Sequence, residues 1–320
     1  MRILFAGTPA SATVVLEALL HSEHEIAGVL TRAPAPVGRR RVLTESPVHD
    51  YARSHGIPVY TPATLKNNAD FAADLKKMNV DLTVVVAYGM LIPADLLQIP
   101  AHGWFNLHYS LLPRWRGASP VQATIAAGDD TCGFTVFQID AGLDTGRVLC
   151  RESFPRDPNL TADELISFLS LRGARRIVSE LDAFPAGGYV LHPQEGDPSY
   201  AGKLSSAAAR INWNLPAREV QNLIHANTAH PGAWTVLEGQ RIKIGKVKIS
   251  VSASDLKPGE ICFSGGNVEV GTHTENIILS AVIPAGKTRM DASAWYRGVQ
   301  NHSGCRIFET EPEREQDSHV

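Results

Sequence analysis

RILFAGTPASATVVLEALLHSEHEIAGVLT, residues 2–31, reads as strand, helix and strand in immediate succession. Residues 2–6 are an apolar run of strand length. From Ser11 to Leu20 the apolar residues recur near helical spacing, and EIAGVLT at 25–31 is again strand-like. The pattern continues outward. VDLTVVVA at 80–87 and GWFNLH at 103–108 alternate with helical stretches near 46–55, 64–78 and 118–127. Near-continuous Val, Leu and Ile strands separated by helices predict a mostly parallel sheet covered on both faces. The first part of the chain is therefore α/β and Rossmann-like.

TADELISFLSLRGARRIVSELDAF at 161–184 predicts a helix that closes this domain, with Thr161 and Glu164 spaced as a capping box. HPQEGDPSYAGKLSSAAAR at 192–210 is rich in Pro, Gly and Ser and reads as a linker crossing the surface. The boundary falls near 205. A helical segment, PAREVQNLIHA, then leads into the strand candidates AWTVLE, RIKIGKVKISV, GEICFS, NVEVGT and NIILSAVI. Short strands at regular spacing predict a small β-barrel over 206–308, of which the oligonucleotide-binding barrel is one form. The acidic tail 309–320, with ETEPEREQDS, is expected to be disordered.

A length of 320 residues suits two domains, and 44% hydrophobic with 20% charged residues is an ordinary globular balance. No apolar stretch is long enough to span a bilayer, and MRILFAGTP lacks the features of a signal peptide, so a cytoplasmic, monomeric protein is expected. Cys132, Cys150, Cys262 and Cys305 form no C-x-x-C pair and read as reduced thiols. A net charge of -3 argues against a uniformly basic nucleic-acid binder but not against a local basic patch. The turn AGTPAS at 6–11 matches neither a dinucleotide fingerprint nor a P-loop. Metal motifs are absent too, since His225 and His230 lie five apart on a helix that ends at Pro231. Neither NAD, ATP nor a metal is expected.

FNLHYSLLPRWRGASP, 105–120, carries the chemistry. Asn106 and His108 share one face of a strand that ends in a turn, where open α/β sheets bind ligands. About 36 residues on, IDAGLDTG at 139–146 places Asp140 and Asp144 among glycines in a loop directly after the strand CGFTVFQ. A histidine beside a carboxylate and an amide supplies a proton acceptor, a group that holds it charged, and a donor for a developing oxyanion. That set suits acyl transfer to an amine. From spacing alone, His108 as a core histidine bonded to a backbone carbonyl and Asn106 as a turn residue fit equally well.

The run N-x-H-x-S-L-L-P-x-W-R-G-A-x-P at 106–120, followed by D-x-G-L-D-T-G at 140–146, resembles the signature of the 10-formyltetrahydrofolate-dependent formyltransferases. The resemblance covers roughly residues 2–308. It implies a catalytic set of Asn106, His108 and Asp144, with Asp144 raising the pKa of His108 so that the charged ring stabilises the oxyanion. It also implies a folate pocket formed by Val86, Ala87, Tyr88, Gly89, Met90, Leu91 and Ile92, by Ser110, Leu111, Leu112 and Pro113, and by Asp140 and Leu143.

The acceptor is read from other stretches. TRAPAPVGRRRVLTESPVH at 31–49 carries Arg39, Arg40 and Arg41, and such a run is usually only a solvated loop. It resembles the basic loop of family members that formylate methionyl-initiator tRNA, as KLSSAAARINW, PGAWT and PAGKTRM resemble their carboxy-terminal domain. From Lys203 to Phe308 there are 12 Lys/Arg against 7 Asp/Glu, a surplus of +5 that suits a nucleic-acid partner. The resemblance thus implies tRNA binding by Arg39, Arg40 and Arg41 and by the second domain. A departure is His225, where the family pattern R-A-x-N-P has arginine, which implies a weaker or pH-sensitive contact with the tRNA backbone. A formyltransferase acting on a small amine, such as glycinamide ribonucleotide or an amino-sugar nucleotide, is the alternative. A non-catalytic RNA-binding protein would leave the Asn, His and Asp without a role.

Overall fold

The computed structural model describes residues 1–38, 41–184, 189–251, 256–299 and 306–309. The chain packs as two compact units. The first comprises Met1–Pro120, Thr131–Pro155 and Ile166–Ala201; the second comprises Val121–Asp130, Arg156–Leu165 and Gly202–Val320.

In the first unit, β1 (Arg2–Gly7) passes through α1 (Ala10–Leu20) to β2 (Glu25–Leu30), the crossover that residues 2–31 predict. There follow β3 (Ala35–Val37), β4 (Val42–Thr44), α2 (Pro47–Ser54), β5 (Val59–Tyr60), α3 (Ala69–Met78), β6 (Leu82–Val86), α4 (Ala94–Leu97), β7 (Trp104–His108) and β8 (Arg116–Gly117). After α5 (Pro120–Ala126), which but for its first residue belongs to the second unit, come β9 (Thr131–Gln138), β10 (Val148–Pro155), α6 (Ala162–Ala183), of the first unit from Ile166 on, and β11 (Tyr200–Ala201). Seven strands form one sheet in the order β10-β9-β7-β6-β1-β2-β5. From β5 to β7 every neighbouring pair is parallel, and β9 and β10 join antiparallel. Ile3, Leu4, Phe5 and Ala6 are all fully buried, so successive side chains on both faces of β1 are covered.

The strand order reverses at β1. Its neighbours β2 and β6 lie on opposite sides, which makes the carboxyl ends of β1 and β6 a switch point. The two loops that leave there are tied together by Thr8, whose hydroxyl donates to the Tyr88 carbonyl at 2.9 Å.

Two stretches read as loops are more ordered than their composition suggests. Within 31–49, β3 and β4 pair as an antiparallel hairpin, Ala35 opposite Thr44 and Val37 opposite Val42. Within 192–210, Tyr200 and Ala201 pair in parallel with Arg116 and Gly117. Ladders of two or three residues are too short to show a hydrophobic period, so periodicity does not register them.

The second unit contains α7 (Ala217–Ala226), β12 (Trp234–Leu237), β13 (Gln240–Ile244), β14 (Val247–Ile249), β15 (Glu260–Ser264), β16 (Asn267–Val270), β17 (Ile277–Leu279), β18 (Ala281–Pro284), β19 (Met290–Asp291), α8 (Ala292–Val299) and β20 (Arg306–Ile307). Its strands form two antiparallel sheets, β12-β13-β18-β19 and β14-β17-β16-β15-β20. RIKIGKVKISV and NIILSAVI are each divided between the two sheets, β13 and β14 separating at Gly245 and β17 and β18 at Ser280. The core gathers Trp213, Val220, Ile224, Ile242, Val268 and Phe308. His225 on α7 lies in this interior, fully buried, its Nε2 3.1 Å from the Val247 carbonyl oxygen and 3.3 Å from the Val247 nitrogen. Burial lowers its pKa despite the neighbouring carbonyl. The backbone contact implied for residue 225 is therefore corrected: a neutral ring inside the core has no surface to offer a phosphate.

The capping box forms as expected. Thr161 N donates to Glu164 Oε2 at 2.8 Å, and Glu164 N donates back to Thr161 Oγ1 at 3.4 Å. Burial pushes the Glu164 carboxyl up, but hydrogen bonds from Lys246 and Thr161 outweigh it and hold the pKa below the ordinary value. Thr161→Ala is expected to cost about 1 kcal/mol of stability, the typical value of such a cap, and chemical unfolding of the two proteins measures it.

Candidate active site

β7 is the strand at which the sheet changes from parallel to antiparallel. Val85 of β6 pairs with Asn106, so the loop that begins at Ala87 leaves beside the end of β7. On the other side Asn106 is opposite Phe137 and His108 opposite Thr135. Because β9 is antiparallel, its last residue, Gln138, lies opposite Phe105, at the far end of β7 from His108. The loop that follows must therefore fold back to meet the histidine. It does so, and His108 Nδ1 lies 3.8 Å from Asp144 Oδ2.

The ring is held from its other side. His108 Nε2 is 2.9 Å from the Trp115 carbonyl, which can only accept, so Nε2 carries the hydrogen. Asp144 Oδ2 in turn accepts from Gly117 N at 2.7 Å. His108 is 6% exposed and bonded to a backbone carbonyl, as a core histidine would be, while Asn106 lies within β7 and not in a turn; the remaining ring nitrogen of His108 faces a carboxylate.

The loop that delivers Asp144 is built for the fold-back. Asp140 Oδ1 accepts from Gly142 N at 3.0 Å and from the Thr145 hydroxyl at 2.6 Å. A Cβ at Gly146 would collide with the Gln138 carbonyl, so no other residue fits there. Ala87, Trp115 and Asp144 all have left-handed backbones, with φ of 48°, 61° and 51°. For residues with a Cβ such a conformation costs on the order of 1–2 kcal/mol each, and strain of this kind collects at functional sites.

The residues expected around the folate divide into two groups. Ala87, Gly89, Leu91, Asp140 and Leu143 are exposed, and Met90, Ile92 and Leu111 half-buried. Val86, Tyr88, Ser110, Leu112 and Pro113 are buried. Ser110 Oγ donates to the Arg114 carbonyl at 2.6 Å, and Leu112 N donates to Thr135 Oγ1 at 3.1 Å. Burial pushes the Tyr88 hydroxyl up to about 12, so it stays protonated. The second group forms the backing of the loops, while the first offers side chains and open backbone to a ligand.

Sequence reasoning missed the backbone groups of Trp115 and Gly117, and it missed Gln194 altogether. Gln194 Oε1 accepts from Arg116 Nη2 at 2.6 Å and Nε at 3.2 Å; its Nε2 donates to the carbonyls of Asp144 at 2.8 Å and Gly146 at 2.9 Å. The proline- and glycine-rich stretch around it carries no periodic signal that could have marked it. Arg39 and Arg40 lie outside the described residues. Arg41 is exposed at the turn of the β3–β4 hairpin, its N–H donating to the Gly38 carbonyl at 3.1 Å.

Asp144 pulls the pKa of His108 upward as expected, but the expectation that this holds the ring charged is corrected. Burial lowers the pKa, and the opposing pull of Asp144 and of the Trp115 carbonyl does not restore it. The ring therefore rests neutral, with Nε2 protonated and the basic lone pair on Nδ1, toward Asp144. It is a proton acceptor whose charged form would have an ion-pair partner waiting.

The Formyl transferase family model matches residues 1–178, and the model of the Formyl transferase C-terminal domain matches 203–300. The chain belongs to the formyl transferase family. It is 49% identical over 308 residues to the methionyl-tRNA formyltransferase of Corynebacterium diphtheriae, covering 95% of this chain and 99% of that one. The fold resembles HypX from Aquifex aeolicus in complex with tetrahydrofolic acid, at TM-score 0.67 and 15% identity over 97% of this chain; the chain spans about half of HypX, 51% of it. It also resembles a methionyl-tRNA formyltransferase from Clostridium thermocellum, at TM-score 0.55 and 15% identity over 87% of this chain and 98% of that one. Among the described residues no group of three or more His, Cys, Asp or Glu could hold a metal ion, and no helix is long and apolar enough to cross a membrane.

In the free formyltransferase, His108 is expected to titrate below 6.5, because burial dominates. Asp144→Asn removes an interaction that favours the charged ring and should move the midpoint lower still. Ring-proton NMR across the acidic range measures both, and an upward shift in the variant would contradict the assignment.

Proposed function

We propose that this formyltransferase moves the formyl group of 10-formyltetrahydrofolate onto the α-amino group of methionyl-initiator tRNA, the reaction that prepares the first aminoacyl-tRNA of translation. The observation that carries the reading is the pairing of His108 with Asp144 on the face of β7, in a chain nearly half identical to a methionyl-tRNA formyltransferase over its length.

The folate supplies the formyl group; the protein's part is to hold the reactants and move a proton. Asn106 shares the β7 face with His108, and its amide is the donor suited to the oxygen that gains charge as the amine adds to the formyl carbon. Neutral His108 accepts the proton that the amine gives up, at Nδ1, and Asp144 stabilises the imidazolium so formed. When the bond between the formyl carbon and the folate nitrogen breaks, the proton passes to that nitrogen. A group that rests neutral and is charged only during the reaction meets the need of this step better than a permanently charged ring, which has no site left to accept a proton.

Ala87, Gly89 and Leu91, on the loop that leaves beside the end of β7, and Leu143, next to Asp144 in the sequence, are exposed and offer apolar surface and open backbone suited to a flat heterocycle. We assign catalysis to residues 1–205 and tRNA binding to 206–308, together with Arg39, Arg40 and Arg41. The surplus of basic residues in the second segment and the exposure of Arg41 support this division.

Purified protein given 10-formyltetrahydrofolate should transfer formyl to methionyl-initiator tRNA in preference to methionyl-elongator tRNA and to glycinamide ribonucleotide, followed as tetrahydrofolate release. His108→Ala and Asp144→Asn should each lower kcat by about 10²-fold or more, the usual worth of such groups. Preference for the small amine would transfer the same chemistry to another acceptor. Replacing Arg39, Arg40 and Arg41 together by Ala should raise KM for the charged tRNA and reduce the salt dependence of binding, with kcat retained; an unchanged KM returns the arginines to a solvated turn.

A further inference from the structure

Asp144 stands in a left-handed conformation at the apex of a loop that has folded back from the wrong end of β7, with its carboxylate aimed at one nitrogen of one buried ring. A loop that merely reached this position would sample others, so something must hold it.

The bonds around Gln194 form a closed circuit. The Arg116 guanidinium donates twice to Gln194 Oε1; Gln194 Nε2 donates to the carbonyls of Asp144 and Gly146; Asp144 Oδ2 accepts from Gly117 N; and Gly117 is covalently joined to Arg116. The amide can sit only one way round, because guanidinium groups only donate and carbonyls only accept. The segment bearing Gln194 is itself fixed. Ser199 Oγ accepts from Trp115 N at 2.9 Å, the Ser199 carbonyl accepts from Arg116 N at 2.8 Å, and Tyr200 and Ala201 continue the pairing. Trp115, whose carbonyl orients His108, thus lies on the same strap of chain as the anchor of the Asp144 loop.

We propose that Gln194 is a positioning residue for the formyl transfer, clamping the Asp144 loop to the 115–117 strand so that carboxylate and imidazole keep one mutual geometry. The inference rests on the catalytic reading of His108 and Asp144 given above. Gln194 touches neither ring nor carboxylate; it holds the main chain on both sides of Thr145. The position demands a neutral side chain that accepts at one atom and donates at the other. Glutamate would retain the Arg116 bonds and lose both donors, setting an anionic oxygen against two carbonyls. Methionine, of similar length, would lose all four bonds.

The test measures kcat, both KM values and the His108 NMR titration for the wild type, Gln194→Met, Gln194→Glu and Asp144→Asn, with thermal melting to establish folding. Misplacing a reacting group by about an ångström can cost on the order of 10²-fold, so both Gln194 variants should lose about 10- to 100-fold in kcat while each KM stays within about twofold. The His108 midpoint should fall in both, toward its value in Asp144→Asn, because the carboxylate no longer faces the ring. Should Gln194→Met fail to fold, Gln194→Glu, which keeps the Arg116 bonds, decides the matter alone. Wild-type kcat or an unmoved His108 midpoint in Gln194→Glu would overturn the proposal. Asp144→Asn separates the two ideas: undiminished kcat there removes the catalytic reading itself, whereas a lowered kcat there beside wild-type values for Gln194→Glu removes only the role of Gln194.

Discussion

β7 carries two incompatible neighbours. One edge extends a parallel ladder to β6, and the other opens an antiparallel ladder to β9. Everything at the site follows from that seam. The parallel side brings the loop after β6 to the end of the strand where His108 sits. The antiparallel side sends the next loop out at the opposite end, so Asp144 can reach the histidine only by a return over the sheet face. The return explains the glycines at 142 and 146, the Asp140 turn, the left-handed Asp144 and the need for an anchor outside the loop. Conformational cost is concentrated there while the strands beneath are regular.

The electrostatics of His108 are set by the same enclosure. Taking an imidazole out of water favours its neutral form, and a carboxylate 3.8 Å away only partly opposes this. The Trp115 carbonyl adds what charge alone does not, a choice of tautomer: it occupies Nε2 and leaves the lone pair on the side of Asp144. Two weak constraints, a backbone carbonyl and a distant carboxylate, thereby define where a proton can be received. A tighter ion pair would have committed the ring to the charged state before substrate arrived.

The sheet and its helices were legible because their signal is hydrophobic repetition, which burial of β1 and its neighbours on both faces enforces. Asn106 and His108 stood out because they interrupt an apolar run, and Asp144 because it lies among glycines in a loop directly after a strand. What escaped has no such contrast. Gln194 works through four hydrogen bonds in a stretch whose composition marks only flexibility, and Gly117 and Trp115 act through backbone atoms common to all residues. The direction of the His108 shift escaped for another reason: the pattern places a carboxylate near a ring but does not reveal how dry the ring is. His225 failed similarly, since a position read as a surface contact lies inside the second core.

That second core has an unusual last member. Phe308 is fully buried, its ring 5.4 Å from that of Trp213 and 6.1 Å from that of Trp295, and its N–H donates to the Gly259 carbonyl at 2.8 Å. Its nearest aromatic partner was made almost a hundred residues earlier. During synthesis the strands of the first sheet are all available once residue 155 has emerged, so that sheet can assemble while translation continues. The second unit instead keeps a gap in its interior until residue 308 has emerged. A chain cut short of residue 308 would lack the ring stacked on Trp213, so the second core closes only with a residue far along the sequence from the helix and strands it covers.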